Sequence, residues 1–243
     1  MVNSLETSTV VVTGAASGIG AETARKFAHK GANVIGFDIE AEDLREHFDD
    51  LEEETGAELV PIQVDLTVED QVEAAVQRAA STFDGIDILV NNAGVALSDE
   101  VEGMETETYR AEMGVNVDGT FFTTRAALPH IRAVSGNIIF LGSYAGCFPR
   151  PYSPVYAATK WWIRGFAKSL AGQIADDEVA ITVINPSEVH TNLADGAMKE
   201  RFDEEKIASP KDIASAITFA ASQEEPLTVS ELDLYRRNRF RDF

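Results

Sequence analysis

Two residues one helical turn apart, Tyr156 and Lys160, have the chemistry to move a proton at neutral pH. On a helix, side chains four positions apart share a face. A free phenol, with a pKa of ~10, is too reluctant a base at pH 7, and a neighbouring ammonium makes its proton easier to remove. The spacing alone says little, because with 5 Tyr and 7 Lys in 243 residues such a pair arises by chance roughly 0.14 times per sequence. Ser143 stands thirteen residues earlier. Its hydroxyl either holds a reacting oxygen in line with the phenol or caps a helix.

A second group reads either as a purely structural turn or as a phosphate site, and its position between a strand and a helix favours the phosphate. In Thr13-Gly14-Ala15-Ala16-Ser17-Gly18-Ile19-Gly20 the glycines permit a tight turn and a close backbone approach to a pyrophosphate, and the following helix start supplies free N–H groups. Asp38 follows about twenty residues later, where a carboxylate accepts hydrogen bonds from an adenosine ribose and repels a 2′-phosphate. No Arg or Lys follows it in Ile39-Glu40-Ala41-Glu42, which points to NAD over NADP. Asp38 also suits the N-cap of the next helix, and the two roles are compatible.

These residues need a scaffold, and the hydrophobic pattern provides one. Short β-branched runs at 9–13, 33–38, 58–64, 86–91, 136–141, 179–184 and 229–235 predict seven strands. Stretches of helical period at 20–30, 41–55, 68–83, 105–131, 154–175 and 210–222 alternate with them. That alternation predicts an α/β fold: one doubly wound Rossmann-type domain over residues 1–243, a seven-stranded parallel sheet with helices on both faces. The polar, acidic segment 187–209 follows a strand's carboxyl end, where open sheets bind ligands; it either covers a substrate or is a surface loop.

Composition narrows the partners. The chain has 41 acidic and 20 basic residues, a formal net charge of −21, which disfavours nucleic acid and anionic membrane. No apolar run is long enough to span a bilayer and residues 1–9 lack a secretory pattern, so a cytoplasmic enzyme is expected. The acids are spread along the chain, which suits either a surface adapted to high salt or an ordinary acidic protein. The lone Cys147 cannot form an internal disulfide, and the four scattered histidines lack acidic partners at ligand spacing, so no metal is expected.

In these motifs the chain resembles the short-chain dehydrogenases/reductases of ordinary length, over nearly its whole extent. Their glycine pattern TGxxxGIG matches Thr13 to Gly20, and Ser17 stands where NADP-preferring members often carry Arg. Asp65-Leu66 match the positions beside the adenine, and Asn91-Asn92-Ala93-Gly94 match the motif after the fourth strand. The resemblance implies hydride transfer between a nicotinamide and a small alcohol or carbonyl. Asn116, Ser143, Tyr156 and Lys160 would form the catalytic set. Lys160 and an oxidised nicotinamide would together supply the ~4 kcal/mol that lowers the phenol by ~3 units. Taken singly, Asn116 is also readable as a buried amide.

The sixth-strand motif matches in part. Asn185, Pro186, Val189 and Thr191 are in place, Thr191 where the family bonds the carboxamide, but Ser187 replaces a glycine. If that position requires φ > 0, serine is strained there by ~1 kcal/mol or more. The resemblance favours 3-oxoacyl thioesters or 3-hydroxy acids as substrates, then sugars or polyols, although the segment after residue 230 lacks the glycine pair of many acyl reductases. It also implies a homotetramer or homodimer, with Trp161-Trp162 either at an interface or in the core. Two other readings are a non-catalytic nucleotide-binding regulator, which would have lost Tyr156 or Lys160, and a sugar-nucleotide epimerase, which needs a larger C-terminal part than follows Thr191.

Overall fold

A computed structural model describes residues 5–97, 100–191, 193 and 207–237. Its seven strands form one parallel sheet in the order β3-β2-β1-β4-β5-β6-β7. They are β1 (Thr9–Thr13), β2 (Asn33–Asp38), β3 (Leu59–Gln63), β4 (Ile88–Asn91), β5 (Asn137–Leu141), β6 (Ala180–Pro186) and β7 (Glu231–Leu234). The strand order reverses between β1 and β4, which opens a crevice beyond their carboxyl ends. The fold is the doubly wound Rossmann type. Register is regular across the centre, with Val10 opposite Val34 on one side and Ile88 on the other.

Every residue of β1 is buried, and side-chain alternation divides it between two cores. Val10 and Val12 pack with Phe27, Leu44, Ile213 and Ile217, on the face carrying α1 (Gly18–Ala28), α2 (Ala41–Thr55) and the helix Pro210–Ala221. Val11 packs with Val76, Ile131 and Ile163 on the other face, covered by α3 (Glu69–Thr82), α5 (Thr120–Ala133) and α6 (Pro154–Gln173). The helix Pro210–Ala221, α7, starts in a capping box: Ser209 Oγ accepts from Asp212 N, and the Asp212 carboxylate accepts from Ser209 N. Among the described residues, no helix is long and apolar enough to cross a membrane.

The stretch read as one helix over 105–131 is divided. It consists of α4 (Thr106–Met113), a π-helical segment Gly114–Gly119, and α5. Two contacts give a physical reason. A Cβ on Gly119 would lie 2.9 Å from Leu66 Cβ, so only glycine lets the helix pass this close. The Thr120 hydroxyl donates to the Asn116 carbonyl oxygen at 2.8 Å, satisfying an acceptor where the regular ladder is interrupted. Asn116 sits in this segment and is fully buried.

Candidate active site

The glycine loop adopts the conformations its sequence demands. Gly14 and Gly18 have φ of +67° and +57°, and a Cβ on Gly20 would lie 1.9 Å from the Gly14 carbonyl oxygen. The loop is buttressed from β4: Asn92 Nδ2 donates to the carbonyl oxygens of Thr13 and Gly14 at 2.8 and 3.2 Å. Thr13 Oγ1 accepts from Asn92 N and Ala93 N at 3.0 and 2.9 Å. Ser17 is the exposed N-cap of α1, and its hydroxyl makes no capping bond.

Asp38, at the end of β2, accepts from Ala16 N at 2.9 Å through one carboxylate oxygen and from Glu40 N at 3.1 Å through the other. The carboxylate is thereby held against the glycine loop. Its side chain does not cap α2, whose N-cap is Glu40. Asp65 accepts from the backbone and hydroxyl of Thr67, forming the turn that leaves Leu66 buried against Gly119. Thr191 Cγ2 would lie 3.7 Å from a Cβ on Gly18, so the segment after β6 returns over the loop. Val189 forms a bridge with Ala208, and His190 N donates to the Ala208 carbonyl.

Ser187 does not carry the strain considered for it, because it is not among the positive-φ residues. Its N–H donates to Leu234 O at 2.8 Å and its hydroxyl accepts from Arg236 N at 3.2 Å. Serine here ties the turn after β6 to the segment after β7, which a glycine side chain cannot do. The rest of the segment expected to cover a substrate, residues 192 and 194–206, lies outside the described residues.

The four candidate catalytic residues converge beyond the ends of β4 and β5. Ser143 follows β5 in extended conformation, and its Oγ accepts from Ala145 N at 3.1 Å, capping a short turn over Tyr144–Gly146. The same hydroxyl hydrogen-bonds Tyr156, so the cap and the reactive reading hold together. A Cβ on Gly146 would lie 2.7 Å from the Lys160 carbonyl, so this turn presses directly on α6. Lys160 is 4% exposed; its Nζ donates to Leu141 O at 3.0 Å and stands 5.7 Å from the Tyr156 ring centroid. Asn116 Nδ2 donates to Val95 O and to Thr159 Oγ1, and its Oδ1 accepts from Val95 N. Gly94 completes the group: a Cβ there would lie 3.2 Å from Asn116 Oδ1 and 3.5 Å from Lys160 Nζ.

Burial dominates the electrostatics of the pair. Burial raises the Tyr156 phenol above its ordinary value, the Ser143 hydrogen bond and the Arg150 guanidinium draw it down, and the Glu112 carboxylate raises it. Burial pushes the Lys160 ammonium down to about 8, and Glu112 raises it. Arg150 stacks over the Tyr144 ring at 4.9 Å, brought there by the turn after β5.

The family model described as short chain dehydrogenase matches residues 8–201. The chain belongs to the short-chain dehydrogenase family. An uncharacterized oxidoreductase of Staphylococcus epidermidis is 33% identical over 225 residues, covering 92% of this chain and 95% of that protein. The alcohol dehydrogenase of the archaeon Thermococcus sibiricus, complexed with 5-hydroxy-NADP, superposes with a TM-score of 0.88 at 26% identity, over 94% and 96% of the two chains. A 3-ketoacyl-(acyl-carrier-protein) reductase from Brucella melitensis, complexed with NADH, has a TM-score of 0.87 at 30% identity, over 96% and 98%.

This short-chain dehydrogenase holds two polar features that spacing did not reveal. Thr159 links Asn116 to the backbone of Tyr156, donating to Tyr156 O at 2.8 Å. Cys147, Glu231 and Asp233 place ligand-type atoms within 4.8 Å of one another. Hydrogen bonds from Arg164, Lys168 and Asn185 hold the Glu231 carboxyl down to about 2, so that charge is already matched by the protein. Burial and the Asp233 carboxylate push the Cys147 thiol up, which keeps it protonated and unreactive. Trp161 and Trp162 part company: Trp162 stacks on Phe166 at 4.8 Å, while Trp161 is 46% exposed. Trp161, with Arg150, Pro154 and Ala157, lines an open hollow of about 610 Å³. By helical spacing it lies on the side of α6 turned away from Tyr156 and Lys160.

Proposed function

We propose that this oxidoreductase interconverts a small alcohol and its carbonyl with NAD as cofactor and Tyr156 as the acid/base. The observation that carries the reading is the meeting of Ser143, Tyr156, Lys160 and Asn116 beside Gly94 at the switch point of the sheet. The glycine loop at the start of α1, the Asp38 carboxylate held against it and the Thr191 segment that returns over Gly18 have the chemistry to hold a dinucleotide. When bound there, the nicotinamide supplies or accepts the hydride. Tyr156 takes the proton of the substrate hydroxyl in oxidation and returns it to the carbonyl oxygen in reduction. Ser143 hydrogen-bonds the same oxygen and holds it in line with the phenol. Lys160 contributes positive charge beneath the forming phenolate, and Asn116 fixes the connection after β4 against α6.

Asp38 supports NAD: a carboxylate pinned beside the loop suits a ribose hydroxyl and repels a 2′-phosphate. The structural neighbours include both an NADP derivative and NADH. Arg150, whose charge reaches Tyr156, supports an anionic substrate, and we favour 3-hydroxy acids or 3-oxoacyl thioesters over sugars and polyols. The exposed Trp161 on its apolar stripe supports assembly as a homotetramer or homodimer. An absorbance screen at 340 nm with NAD and NADP against alcohols, 3-hydroxy acids and sugars tests the reading. Tyr156→Phe is expected to lower turnover more than 10³-fold with cofactor binding retained. Normal turnover by that variant would overturn the mechanism.

A further inference from the structure

Glu112, on α4, is a fully buried carboxylate that the mechanism above leaves without a task. Its Oε1 accepts from Leu97 N at 3.2 Å. Its Oε2 is sealed from solvent with no hydrogen-bond partner among the described residues. A buried carboxylate with a single amide donor is unfavourable unless an opposite charge lies within range.

The surroundings identify that charge. Glu112 and Asn116 both fasten the connection after β4, one through Leu97 and the other through Val95, and that connection begins at Gly94, beside Lys160 Nζ. From the connection, Glu112 receives the Leu97 N–H. α4 packs against α6, and on that helix Lys160 is the charged group acting on the Glu112 carboxyl among the described residues, while Glu112 in turn acts on the Tyr156 phenol. Lys160 has the mirror-image problem, because its Nζ is buried with one carbonyl partner among the described residues. Each ion is left short of polar partners, and the two lie within each other's field.

We propose that Glu112 is a positioning residue: its carboxylate is the buried counter-charge that keeps Lys160 an ammonium at neutral pH. Burial and Glu112 act on Lys160 in opposite directions. Without the carboxylate, burial acts on the ammonium unopposed and its midpoint moves further down from about 8. The consequence for turnover rests on the acid/base reading of Tyr156 and Lys160; the pairing itself does not.

The test is therefore a titration of the protein without substrate or cofactor. In protein labelled with ¹³C at lysine Cε, one of the seven lysines is expected to titrate near 8, and Lys160→Arg assigns it by its disappearance. Glu112→Gln keeps the acceptor for Leu97 N and removes the charge; the Lys160 midpoint is expected to fall by about one unit, a tenfold change in its proton affinity. Glu112→Asp keeps the charge and should leave the midpoint within a few tenths. A folded Glu112→Gln whose Lys160 midpoint does not move would overturn the proposal, as would an equal shift in Glu112→Asp. If Glu112→Gln fails to fold by circular dichroism, glutamate Cδ labelling decides: the Glu112 midpoint must rise in Lys160→Met, and an unmoved one refutes the pairing. A chain that transferred no hydride would fail the 340 nm screen without affecting these midpoints.

Discussion

Asn116 Nδ2 donates to Thr159 Oγ1 at 3.1 Å, a bond that joins the π-helical segment to α6 one residue before Lys160. Thr159 is fully buried and passes the contact on to the Tyr156 carbonyl. The angle at which α6 presents Tyr156 and Lys160 is thus set partly by a hydroxyl outside the family's motif set.

Thr159→Val, nearly isosteric, removes that link while Asn116 keeps its bonds to Val95. The expected outcome is a loss of ~1 kcal/mol in urea unfolding and roughly a tenfold lower kcat. Cofactor affinity, read by NADH fluorescence, should be unchanged. A kcat equal to the parent's would show that α6 is positioned by packing alone.

Asp38→Asn separates charge from geometry at the cofactor end. An amide retains an acceptor for Ala16 N in the glycine loop and gives up the longer bond from Glu40 N. Removing the charge is expected to raise the ratio of kcat/KM for NADP over NAD by about 10- to 100-fold, or ~1.4–2.7 kcal/mol. An unchanged ratio would mean that selectivity resides elsewhere.

Glu231 provides a pH test of stability. Its carboxyl is held down to about 2 from 4.5 by Arg164, with Lys168 and Asn185, and its side chain is 18% exposed. A folded-state value below the unfolded one stabilises the protein above the unfolded value and is lost as pH falls through the folded value. Glu231→Gln is therefore expected to lower stability at pH 7 by roughly 2–3 kcal/mol. The difference from the parent should shrink as pH is lowered from about 4.5 toward 2. A difference that stays constant across that window would place the effect in packing.

Salt should stabilise this chain if its acidity is an adaptation to high ionic strength. With a net charge of −21, self-repulsion is screened to within ~3 Å at molar salt. Unfolding free energy is expected to rise by more than ~1 kcal/mol between 0.1 and 2 M KCl. Equal stability at both concentrations would mark an ordinary acidic protein.

The sequence by itself determined the layers and the motifs. Strands β1 and β2 fall on the expected residues, and α2 does too, because β-branched runs and three- and four-residue spacing report burial on one side of a local element. The glycine loop was legible because Gly20 has no room for a Cβ, a constraint local to one turn and one neighbouring strand. What tertiary structure decided depends on atoms far apart in the chain. The break at Gly114–Gly119 comes from the approach of Leu66, 53 residues before Gly119. The relaxed turn at Ser187 is tied by the segment after β7. The burial of Glu112 against Leu97, beneath the field of Lys160, is invisible in a stretch that reads as a polar helix. Periodicity records which side of an element is covered; the state of a charge depends on what covers it, and only the folded chain decides that.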